Sequence, residues 1–118
     1  MKTLNTYVVY DTHTSTDIFQ KVSKEFDHIS TTFETDIEKA IDAINTHSFD
    51  MLVMDKMLDK TAQTKLNKLV DLIDPGIATV ELHMNDEDFI RFKMGDMSRK
   101  WSEAQSHSIV KFIDNPKF

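Results

Sequence analysis

The sequence predicts one α/β domain built on a parallel sheet. Short apolar runs rich in β-formers alternate along the chain with stretches of helical period. A length of 118 residues suits a single domain with one core. With two glycines and two prolines, no flexible linker divides the chain, and no glycine-rich loop is available to cradle phosphate. Strands that alternate with helices join through right-handed crossovers, which puts helices on both faces of a parallel sheet.

Each element has its own signal. Tyr7-Val8-Val9-Tyr10 is a β-rich run closed by Asp11. Thr14 and Asp17 stand at capping-box spacing before a helix carrying Ile18, Val22 and Phe26. Ile29, Thr31 and Phe33 alternate with polar residues, as in a half-exposed strand near a sheet edge. Thr35-Asp36-Ile37-Glu38 is a clearer capping box, and Ile37, Ala40, Ile41 and Ile44 form the stripe of the second helix. Met51 to Met54 is the third strand. Leu66, Leu69, Val70 and Ile73 mark a third helix, which Asp74-Pro75-Gly76 stops. Thr79 to Met84 reads as the fourth strand. Asn85-Asp86-Glu87-Asp88 caps a long helix whose Ile90, Met94, Met97 and Trp101 share one face. Ile109 to Ile113 reads as a fifth strand, giving the pattern (βα)4β over residues 1–118.

Composition narrows the function. A net charge of −6 from 14 basic and 20 acidic residues argues against a nucleic-acid partner, which requires a basic stripe. The chain has no cysteine, which excludes disulfides, thiol nucleophiles and thiolate metal sites. The five histidines show no ligand spacing. His13 beside Asp11 reads as a loop histidine, and Ser15 with them makes no triad from sequence alone. No stretch has signal-peptide or membrane-helix character, so the expectation is a cytoplasmic protein without a membrane partner.

The candidate chemistry lies in Phe49-Asp50-Met51-Leu52-Val53-Met54-Asp55-Lys56-Met57, an apolar strand that ends on one carboxylate. In alternating α/β folds, ligands bind outside the carboxyl ends of the strands. That run, Val8-Val9-Tyr10-Asp11 and the segment from His28 to Ile44 together resemble a response-regulator receiver domain over nearly the whole chain. The resemblance implies a flavodoxin-like fold with strand order 2-1-3-4-5. It implies Asp55 as phosphoacceptor, with magnesium held by Asp11, Asp55 and the Met57 carbonyl. Such a cation neutralises phosphoryl charge and orients the oxygens.

Departures from the family pattern are equally specific. One acid of the family's pair is replaced by Tyr10 or Thr12. His83 stands at the position of a small hydroxyl residue. Asn115, before Pro116, stands where the family has lysine; Lys111 and Lys117 compensate only with a register shift. The family's last helix has no counterpart. These departures imply a degenerate, or pseudo-, receiver: a stand-alone signalling domain, not an enzyme, that acts through a protein partner or as a homodimer. Two alternatives stay open. One is a working phosphoacceptor of a two-component system. The other is a small-ligand or enzymatic domain using a crevice lined by Asp11, Asp55, His83 and Asn115.

Two further features suggest an interface. Phe89 and Phe92 lie off the buried stripe of their helix. Thr79, Glu81 and His83 alternate with Val80 and Leu82, whereas a covered parallel strand reads as a continuous apolar run. The expectation is that the absent last helix leaves the sheet face beside the first helix open. Glu81 would point to that face and pair with Lys111 on the fifth strand, and a two-fold dimer would form through strands four and five and the fourth helix.

Overall fold

The structure, a computed structural model, describes residues 3–46 and 49–114, the stretch 104–114 by its backbone alone. The elements run β1 (Leu4–Val9), α1 (Asp17–Ser23), β2 (Ile29–Glu34), α2 (Ile37–Asn45), β3 (Met51–Asp55), α3 (Lys60–Ile73), β4 (Ala78–Leu82) and α4 (Glu87–Asp114). The strands form a four-stranded parallel sheet in the order β2-β1-β3-β4.

Burial follows from strand position. β3 lies inside the sheet with helices on both faces, and all five of its residues are buried. β2 is an edge strand, and its burial alternates as its sequence does. In register, Tyr7 pairs with Leu52 and Val9 with Met54; these residues face α2 and α3 and pack with Ala40, Ile44, Leu66 and Val70. Val8 and Val53 face the other way and pack with Phe19 and Val22 of α1 and Ile90 and Met94 of α4. The sheet therefore separates two apolar cores.

Helix starts differ in detail from the sequence expectation. α2 is capped by Asp36, whose Oδ1 accepts the Glu38 N–H at 2.9 Å, so Asp36 and not Thr35 is the N-cap. α1 starts after Thr16 without a side-chain cap, and the Thr14–Asp17 box does not form. The predicted stop of α3 is present: Asp74 Oδ1 accepts the Gly76 N–H at 3.1 Å.

The fifth strand predicted over Ile109–Ile113 is instead the end of α4. A chain leaving a helix for a strand needs a breaker, and residues 96–115 contain neither glycine nor proline. A short apolar run does not by itself distinguish strand from helix. Two consequences follow. β4 becomes a sheet edge, and Lys111 does not lie on a strand beside Glu81. The face beside α1 is also not open, because α4 covers it. Arg91 of α4 forks onto Glu25, in the turn after α1, through two bonds of 2.8 Å and reaches Glu87 at 2.9 Å, while Lys21 of α1 meets Glu87 at 3.3 Å. Trp101 stacks on His28 at 5.6 Å, and His28 bonds Ser98. Glu81 is exposed, but on the opposite face, in register with Met54 on the α2–α3 side. Among the described residues, no helix is long and apolar enough to cross a membrane.

Candidate functional site

Adjacent parallel strands β1 and β3 bring Asp11 and Asp55 to the same end of the sheet. Asp55 is fully buried. Its Oδ2 accepts the Asp11 N–H at 3.0 Å and its Oδ1 accepts the Met57 N–H at 2.9 Å. Its carbonyl accepts the Leu58 N–H at 3.0 Å, closing a tight turn after β3. One carboxylate thus ties the ends of two strands and the following turn together. A buried carboxylate is tolerable when amide donors satisfy it.

Asp11 is turned the other way. Its Oδ2 accepts the His13 N–H at 2.9 Å and lies 3.4 Å from His13 Nδ1, which is the Asx-type turn that its loop position allows. The Met57 side chain is exposed. His83 follows β4 at the same end of the sheet, is exposed, and accepts the Asp86 N–H on its carbonyl at 3.2 Å. β4 stops at Leu82, so His83 sits in the loop rather than at the strand end. Lys111 lies on α4, on the order of 36 Å along the axis from Glu87 at a rise of about 1.5 Å per residue. α4 begins beside the strand ends, so Lys111 is at its remote end. Asn115 lies outside the described residues.

Gln63 was not singled out from sequence. It is a buried residue of α3 whose Nε2 donates to the Leu58 carbonyl at 2.8 Å, bracing the turn after Asp55. Its signal was present, since Gln63 shares a helical stripe with Leu66 and Val70.

Magnesium places strict demands on its donors. The cation takes near-octahedral oxygen ligands and keeps several waters. Both oxygens of the buried Asp55 already accept backbone amides, and Asp11 binds its own turn. Among the described residues, no group of three His, Cys, Asp or Glu side chains converges on a point. Asp11, Asp55 and the Met57 carbonyl thus offer two carboxylates and one carbonyl, with both Asp55 oxygens engaged by backbone amides.

A second site lies along the outer rim of β4. A shallow groove of about 440 Å³ runs between Lys56, Asn67, Thr79 and Glu81 on one side and Phe89 and Lys93 of α4 on the other. Phe89 and Phe92 lie 6.4 Å apart, 37% and 64% exposed, and Lys93 Nζ sits 5.8 Å above the Phe89 ring. Exposed aromatic pairs of this kind favour association. A further apolar cavity of about 460 Å³ opens at the opposite end of the sheet, between Phe49, Ile77, Met97 and Trp101. Comparison of the chain with protein-family models, with curated proteins and with solved structures gives no match.

Proposed function

We propose that this chain is a flavodoxin-like, receiver-like signalling domain that works through protein contacts, with Asp55 serving as a structural latch. The burial and bonding of Asp55 carry this reading. A phosphoacceptor needs an oxygen free to attack phosphorus in line, and both oxygens of the buried Asp55 are engaged by backbone amides. Opening the site would break both bonds and leave the Asp11 and Met57 amides to find other partners. The exposed Phe89–Phe92 pair and the groove beside Glu81 supply a surface on which a signalling partner can dock.

The rival phosphoacceptor reading keeps one supporting observation: Asp55 stands at the carboxyl end of a central strand, with Asp11 just beyond the end of the neighbouring one. Intact mass after incubation with acetyl phosphate and magnesium separates the two. The expected result is an unchanged mass. A gain of one phosphoryl group that Asp55→Asn abolishes would overturn the latch reading.

A further inference from the structure

We infer that β4 is the pairing edge of a two-fold homodimer in which two copies join into one continuous eight-stranded sheet. The inference deepens the interaction role proposed above and rests on it. It starts from the direction of the β4 backbone. The Ala78 N–H donates to Asp50 at 3.2 Å, and the Leu82 carbonyl accepts from Lys56 at 2.8 Å. Along a parallel ladder, every second residue turns both backbone groups to the same neighbour. Ala78, Val80 and Leu82 therefore face β3, and Thr79 and Glu81 turn their N–H and C=O groups outward. No described strand lies on that side.

The sequence of β4 complements itself under a two-fold axis through Val80. Read antiparallel, Ala78 faces Leu82 of the second copy, Thr79 faces Glu81, and Val80 faces Val80. Thr79 and Glu81 then form two hydrogen-bonded pairs, which exchange four backbone bonds. The apolar Ala78, Val80 and Leu82 all lie on the α4 face, and each meets an apolar partner there. On the other face each carboxylate lies beside a threonine hydroxyl, and no like charges stand opposite one another. Charge favours this occupant too. The groove holds Lys56, Lys93 and Glu81, a net positive charge, while the entering Ala78–Leu82 strand carries one negative charge. The pairing is isologous and closes at two copies. It also covers an edge that would otherwise template aggregation.

Sedimentation of the full chain across the micromolar range tests the inference. A reversible dimer is expected. Thr79→Glu places two carboxylates opposite each other, and should weaken the dimer at least about tenfold, or ~1.4 kcal/mol. Thr79→Lys places an ammonium opposite Glu81 and should preserve or tighten it. Thr32→Glu on the other edge, β2, should change nothing. Thr79 and Thr32 are exposed, and circular dichroism of each variant should match the parent. A chain that stays monomeric overturns the inference. So does a dimer that Thr79→Glu leaves intact, that Thr32→Glu breaks, or that Thr79→Lys and Thr79→Glu weaken equally. Phosphoryl labelling reports separately: a labelled dimer refutes only the latch, and an unlabelled monomer only the pairing.

Discussion

A carboxylate at the end of a buried strand has two ways to satisfy its oxygens, solvent and ions on one side or the neighbouring backbone on the other. Asp55 takes the second, and its energetic role follows. Asp55→Ala leaves the Asp11 and Met57 amides, which are part-buried, without their acceptor, at a cost on the order of 1 kcal/mol each. Asp55→Asn keeps one acceptor oxygen and should lose less than Asp55→Ala in urea unfolding. A phosphoacceptor with no structural duty predicts little loss for either. Thr6 gives the converse case: its Oγ1 is buried and has no hydrogen-bond partner among the described residues. Thr6→Val keeps the β-branched shape and removes the unpaired hydroxyl, and is expected to raise Tm, by about 1 kcal/mol of stability.

Among the elements, α4 determines most of the architecture. Its Ile90 and Met94 fill the core against α1, β1 and β3, which joins the last helix to the first. Ile90→Ala should cost about 2–5 kcal/mol, read as a lower denaturation midpoint. The rim of the same interface is ionic. The Arg91 hydrogen bond holds the Glu25 carboxyl below the ordinary glutamate range, and bonds from Arg91 and Lys21 do the same for Glu87. Depressed carboxylate pKa values stabilise the fold above the ordinary glutamate value, and that contribution fades as pH falls through the depressed values. Both carboxylates are solvent-exposed, so the effect is small and screened by salt. Arg91→Met should flatten the acid limb of the stability profile, leaving the neutral-pH core intact.

At the scale of the whole molecule, the order β2-β1-β3-β4 puts the two most buried strands at the centre and leaves two edges. Amide exchange should be slowest at Val8 and Val53 and faster along β2 and β4. In the paired state, exchange at Thr79 and Glu81 should slow as protein concentration rises, while β2 stays unchanged. This pattern separates pairing at β4 from association through another surface.

Much of this was legible in the sequence, for physical reasons that vary by residue. Eight of the nine predicted elements exist because alternating and 3.6-residue periods are local consequences of burying one face. Apolar Met51–Met54 ending on Asp55 locates a central strand and its acid, since only a strand covered on both faces tolerates so apolar a run. The alternation at Thr79 and Glu81 correctly marks a partly uncovered strand. What surrounds those residues was a matter of long-range geometry. Ile109–Ile113 is apolar enough for a strand, and continuation of α4 with no breaker decided otherwise. That one difference moved the open surface from the face beside α1 to the outer rim of β4. Likewise, position alone makes Asp55 a candidate for chemistry, whereas the Asp11 and Met57 amides that occupy its oxygens come from chain segments brought together by folding. The sequence by itself determined the elements and the acid between them. The tertiary structure decided what that acid binds and which edge is exposed, because hydrogen-bond partners and sheet neighbours depend on contacts between residues far apart in the chain.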